Sequence, residues 1–232
     1  MVTSDLPYRI QTSAGHRKYL CSGIYMPSVT TVLSATESEK SKAGLRNWQK
    51  NNPGALEAAS TRGSAIHLGC ENYLRGLNPD VPEDYLDFWN GMSTYLDWFD
   101  TIHWSERPLR PDWNHLRSDD REVAFVWSTE HKYAGCPDLI GEIGGVRIIA
   151  DFKTSNAPYC SSFPDRGDRI GFGGYRKYTK CAQQMAAYRY ALNERTGFLC
   201  DAALIIVSTP ETTQGIFIDG DQLALHESRF LK

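Results

Sequence analysis

Six consecutive residues, Ile148-Ile149-Ala150-Asp151-Phe152-Lys153, constrain the fold of this chain more than any others. The run starts as apolar strand and ends in two charges spaced by one residue. Period-two alternation puts Asp151 and Lys153 on one face, with Phe152 pointing into the core behind them. Charges at the edge of so apolar a strand need an explanation, because burying them is costly unless they are paired or used.

The neighbouring segments supply a setting. Glu122–Trp127 alternates, and Tyr133–Ile140 and Val146–Lys153 read as two more strands joined by a turn at Gly144-Gly145. The three predict an antiparallel meander with Asp138 near the end of its middle strand. Carboxylates converging from adjacent strands offer the oxygen ligands that Mg²⁺ or Mn²⁺ prefers, leaving positions for water and phosphate. The Lys153 ammonium could orient or deprotonate a water there and offset phosphate charge. The alternative is a surface ion pair of little consequence.

Helices dominate the first part of the chain. Lys18–Tyr25 alternates as a strand does and leads into Pro27-Ser28-Val29-Thr30-Thr31-Val32-Leu33, where Ser28 or Thr30 caps a short helix. Residues 41–76 read as two helices broken at Asn51-Asn52-Pro53-Gly54. A third, over 83–101, carries Tyr85, Trp89, Met92, Leu96 and Phe99 on one face. After the meander, 154–179 reads as a long loop with a basic tail, in which Gly171, Gly173 and Gly174 suggest a flexible flap. A helix over about 180–195 closes at Gly197, followed by strands at Ala202–Ser208 and Gly215–Asp219 and a last helix capped by Asp221. The order predicts an α/β (α+β) fold: a central mixed β-sheet flanked by helices, with a helical N-terminal lobe over about 27–101 and a core over about 120–210.

Other polar residues fall at helical spacing. His67 and Glu71 are one turn apart after Arg62-Gly63, and Lys180, Gln184 and Tyr188 are spaced by four. Each set alone also fits an ordinary amphipathic helix.

Five segments in this order resemble the RecB-like branch of the PD-(D/E)XK nucleases: Pro27–Leu33, Arg62-Gly63 with His67 and Glu71, Gly135-Cys136-Pro137-Asp138, Asp151-Phe152-Lys153, and Gln184-Met185-Ala186-Ala187-Tyr188. The nearest likeness is to mitochondrial genome maintenance exonucleases and their phage relatives, over about residues 25–210. The resemblance implies a restriction-endonuclease-like core in a single nuclease domain spanning 1–232. It implies that His67, Asp138, Asp151 and the Phe152 carbonyl bind a divalent ion, that Lys153 positions the attacking water, and that Gln184 and Tyr188 line the site. Arg62 would meet a phosphate, and Glu122 would stand behind the ligands. Glu71 would be a water or second-metal ligand, or the partner of an arginine. Trp48 would stack bases, and Arg176, Lys177 and Lys180 would contact the strand. The iron–sulfur cysteines of some relatives are not matched, since only Cys200 follows the glutamine–tyrosine helix, so no cluster is expected.

Composition narrows the partner. A net charge of −3, from 25 basic and 28 acidic residues, excludes a protein that coats DNA but permits an enzyme that grips one strand locally. No apolar run approaches the roughly 18–20 residues of a membrane span, and the first residues show no secretory pattern. Six scattered cysteines with no CxxC suggest reduced thiols and a cytoplasmic protein of a compact build that would suit a phage or a bacterium. The expected activity is Mg²⁺- or Mn²⁺-dependent DNA exonuclease cleavage at single-stranded ends or flaps, in repair, recombination or replication. The alternatives are a duplex-end 5′→3′ exonuclease of a phage-type recombination system and a module that binds DNA ends without cutting.

Overall fold

In the computed structural model, which describes residues 7–11, 17–118 and 124–232, the chain is an α+β protein built on a mixed sheet. An N-terminal sheet, β1 (Tyr8–Gln11), β2 (Arg17–Cys21) and β3 (Ile24–Pro27), precedes four helices: α1 (Val29–Ala35), α2 (Glu39–Asn51), α3 (Ala55–Leu74) and α4 (Leu86–Leu96). There follow β4 (Thr101–Ser105), β5 (Arg107–Pro108), a hairpin of β6 (Val126–Ser128) and β7 (Tyr133–Gly135), and a hairpin of β8 (Leu139–Ile143) and β9 (Val146–Thr154). The long helix α5 (Arg169–Thr196), β10 (Ala202–Ser208), β11 (Thr213–Ile218) and α6 (Gly220–Phe230) complete the chain.

The main sheet has the order β11-β10-β9-β8-β4-β5; β9 and β10 are parallel and the other pairs antiparallel. A parallel pair needs a long crossover, and α5 provides it. β10 is buried along its whole length, as a strand covered on both faces should be. The period of two assigns the faces of β9. Ile148, Ala150 and Phe152 pack with Ile66, Phe88 and Met92 of α3 and α4, while Ile149 packs with Met185 and Ala186 of α5. Asp151 and Lys153 therefore face the α5 layer, as the alternation predicts.

Local chemistry explains the boundaries. Gly144 and Gly145 both have positive φ, +57° and +80°, as a two-residue hairpin turn between right-twisted strands requires. Of the two expected caps of α1, Ser28 acts, accepting from the Thr31 N–H at 3.0 Å. Asp219, rather than Asp221, caps α6. Among the described residues, no helix is long and apolar enough to cross a membrane.

Three expectations fail for physical reasons. The meander is two separate hairpins, because Pro137 interrupts the Tyr133–Ile140 run and has no N–H to continue a ladder. The third helix stops at Leu96, although Phe99 falls at helical spacing; Phe99 lies beyond the helix, against Gly141, where a Cβ would meet its ring at 2.7 Å. The 154–179 segment is not one long flap, since α5 starts at Arg169 with Asp168 as its cap. Phe172, Tyr175 and Tyr178 form a chain of ring contacts from Phe163 to His226 that holds this first part of the helix. Gly174 marks a close approach rather than mobility, because a Cβ there would sit 3.0 Å from the Cys160 amide nitrogen.

Candidate metal centre and active site

Three elements bring a nitrogen and two carboxylates together. His67 lies on α3, Glu106 in the tight connection between β4 and β5, and Asp138 just before β8; one donor atom from each lies within 4.8 Å of the others. His67 Nδ1 is 3.7 Å from Asp138 Oδ2 and 3.8 Å from Glu106 Oε1. Glu106 adopts φ +56° to make its turn, and its N–H donates to the Asp138 carbonyl at 3.0 Å. The Phe152 N–H donates to Asp138 Oδ2 at 2.8 Å, and the Trp104 indole donates to the Pro137 carbonyl at 2.7 Å. Asp138 is thus fixed from two sides.

His67 Nε2 is 2.9 Å from the Phe152 carbonyl oxygen, which also accepts from Lys153 Nζ at 3.3 Å. That carbonyl orients the imidazole so that Nδ1 faces the carboxylates. Backbone partners of this kind are the usual way a ligating histidine is held. Burial opposes a charge on His67, but Asp138 and Glu106 outweigh it and push its pKa up to about 9. The two carboxylates thus favour the imidazolium form of His67, which offsets part of their charge.

A second group lies behind the first. Asp151 is 2% exposed and its Oδ2 is ion-paired with Lys153 Nζ; Gln184 Nε2 on α5 reaches Asp151 Oδ1 at 3.2 Å and the Tyr188 hydroxyl at 3.3 Å. Burial raises the Asp151 carboxyl, with Lys153 resisting. Burial also works against the Lys153 ammonium, yet Asp151 and Asp138 more than offset it and hold its pKa well above the usual lysine range. The Tyr188 ring lies across Gly135, where a Cβ would meet it at 2.3 Å, so that glycine makes room for it.

Both groups border one cleft of about 500 Å³, lined on the acidic side by His67, Glu106 and Asp138 and beside them by Lys153, Gln184 and Tyr188. Arg9, Arg17 and Tyr19 of the N-terminal sheet also line it. A second groove, about 760 Å³, runs between α2 and α5 and includes Trp48, Lys40, Arg176, Lys177 and Lys180. There Lys180 pairs with Glu37 at 2.6 Å, Arg176 donates to Ser41 Oγ at 2.8 Å, and Lys177 donates to Ser155 Oγ at 3.0 Å.

Two predicted site residues lie elsewhere. Arg62 stacks on Phe88, its guanidinium carbon 4.5 Å from the ring centroid, and is not among the residues lining the cleft. Glu71 is ion-paired with Arg75 one turn on, which realises the arginine-partner alternative. Glu122 lies outside the described residues. Sequence reasoning missed Glu106, which sits in a turn with no periodicity to mark it. It also passed over Arg9, Arg17 and Tyr19, whose common face follows only from the β1–β2 register.

No family model matches the chain, and no curated protein matches it. A solved structure titled "Crystal structure of SSO0001" aligns over 88% of this chain and 74% of its own, at 16% identity and a TM-score of 0.35.

Proposed function

We propose that this chain is a divalent-metal-dependent DNA exonuclease that hydrolyses phosphodiester bonds at single-stranded ends or flaps. The observation that carries the reading is the meeting of His67, Glu106 and Asp138 with Lys153 and Gln184 in one cleft, with the buried Asp151 joining the last two from behind. One imidazole nitrogen and two carboxylates suit Mg²⁺ or Mn²⁺, and imidazole favours Mn²⁺ of the two. His67, Glu106 and Asp138 would hold the ion, with Asp151 beside them. Such an ion supplies Lewis-acid charge at a scissile phosphate.

The remaining roles belong to the chain itself. Lys153, whose ammonium form Asp151 favours, would donate hydrogen bonds to an attacking water or to phosphate oxygen. Asp151 keeps the ammonium in place, and Gln184 keeps Asp151 in place. Water attack would form the new P–O bond as the bond to the departing strand oxygen breaks, with one proton of the water passing through solvent to that oxygen. Support for single strands comes from the second groove, where the exposed Trp48 offers a stacking face beside cationic residues. Repair, recombination or replication is the setting such trimming would serve. The six free cysteines accord with a reducing, cytoplasmic location.

The test is a cleavage assay with end-labelled single and double strands in Mn²⁺ or Mg²⁺. Metal-dependent product from single strands that disappears in Asp138→Asn supports the reading. Preference for duplex ends would favour the recombination-type exonuclease. DNA and metal binding without any product would favour an end-binding module.

A further inference from the structure

The N-terminal sheet carries a cationic face with a use of its own. In the β1–β2 ladder Arg9 pairs with Tyr19, and Arg17 precedes Tyr19 by two residues. Paired residues and residues two apart share a face, so Arg9, Arg17 and Tyr19 project to the same side. On that side Tyr19, Cys21 and Met26 are buried in the core, while both arginines are exposed at its rim. Both also line the cleft that holds His67, Glu106 and Asp138. Among the described residues neither arginine has an ion-pair partner. The Tyr19 hydroxyl lies within hydrogen-bonding reach of Arg17, and burial raises its pKa to about 12, so it remains a hydroxyl.

Two guanidinium groups and a hydroxyl lining a cleft match the oxygens of a carboxylate or a phosphate, and the strand of the nuclease reading supplies phosphate. A strand whose scissile phosphate lay over the metal donors would bring a neighbouring phosphate toward another part of the same cleft wall.

We propose that Arg9 and Arg17 form a phosphate-binding subsite that holds a non-scissile phosphate of the bound strand in the same cleft as the metal donors. This rests on the nuclease reading and adds to it a second point of grip, on an element that precedes every segment carrying the nuclease likeness. Each arginine contributes one charge to the strand and leaves the hydrolytic groups untouched.

The experiment compares wild type with Arg9→Gln, Arg17→Gln, the double variant, the double lysine variant, and Lys18→Gln, which sits on the opposite face of β2. Binding of a fluorescein-labelled 20-mer of thymidine is measured in Ca²⁺ over a range of salt, and cleavage in Mn²⁺. The double glutamine variant should bind about tenfold or more weakly. Its plot of log affinity against log salt should flatten by about 0.7 for each charge removed. KM should rise while kcat stays within about threefold, Lys18→Gln should match wild type, and the lysine variant should recover part of the loss. A loss confined to 5′-phosphorylated strands identifies a terminal phosphate, and an equal loss with 5′-hydroxyl strands an internal one. Wild-type affinity and salt slope in a folded double variant, with cleavage intact, overturn the subsite and leave the nuclease reading standing. A wild-type protein that neither binds nor cuts the strand overturns both.

Discussion

The cleft and the α2–α5 groove are both polar, but they are built differently. In the cleft, Asp138 is held by the Phe152 N–H and by a carbonyl that accepts from Glu106; His67 is held by the Phe152 carbonyl; and Asp151 is held by Lys153 and Gln184. In the groove, Arg176 and Lys180 rest on half-buried side chains of α2 and of the link before it, and Trp48 is exposed. Fixed groups suit chemistry, which loses much of its rate to small misplacements. Loosely held cations and an aromatic face suit a flexible strand of any sequence. Changes in the cleft should therefore act on rate, and changes in the groove on affinity.

The largest expected effect is that of Asp138→Asn. Asparagine retains an oxygen for the Phe152 N–H, so the fold should survive. Losing the charge at the ion should lower kcat by on the order of 10³ or more. Glu106→Gln should follow it in direction, whereas Glu71→Gln should leave kcat unchanged.

Lys153→Ala should be nearly as damaging, and for two reasons that can be separated. It removes a donor aimed at the reaction, worth on the order of 10²–10³ in rate. It also strands the buried Asp151 carboxylate, at a stability cost of roughly 3–5 kcal/mol. Adding Asp151→Asn to it should restore much of the thermal stability but none of the activity, as melting curves and rates would show.

The proposed metal centre should respond to pH through His67. Its folded pKa, about 9, is raised above the ordinary histidine value. The imidazolium therefore stabilises the metal-free protein fully below about pH 6.5, and that contribution is lost as pH rises through about 9. A metal has to displace the same proton, so Mn²⁺ affinity should climb over this window. Melting in EDTA and in Mn²⁺ at pH 6, 7.5 and 9 should show the two curves diverging as pH rises. His67→Gln should flatten the divergence.

The groove should yield the smallest and most graded effects. Trp48→Ala should weaken single-strand binding by roughly 1–3 kcal/mol and leave duplex binding little changed. Lys180→Gln should cost less than a free cation would, because Glu37 already neutralises part of its charge. Equal losses on single and double strands would break the contrast between the two regions.

Legibility in the sequence followed periodicity. Strand β9 announced its two faces through Ile149, Phe152 and the alternating charges, and Gly144-Gly145 announced the hairpin. Gln184 and Tyr188 were placed together by helical spacing and do meet at 3.3 Å. Glu106 had no such mark, because a single residue at positive φ between two short strands belongs to no repeat. The resemblance implied a phosphate contact for Arg62, and the structure sets its guanidinium over the face of Phe88, a contact that no spacing in the sequence marks. The glycines of 171–174 suggested a flap because composition alone does not distinguish freedom from close packing. Arg9 and Arg17 were invisible until the pairing of β1 with β2 put them on one face.

The most direct test of the central claim is the rate of product release from an end-labelled single strand in Mn²⁺, for wild type and Asp138→Asn side by side. Steady cleavage by wild type that EDTA stops and Asp138→Asn lacks is the predicted result. Cleavage that persists undiminished in a folded Asp138→Asn variant would contradict the assignment of chemistry to this cleft.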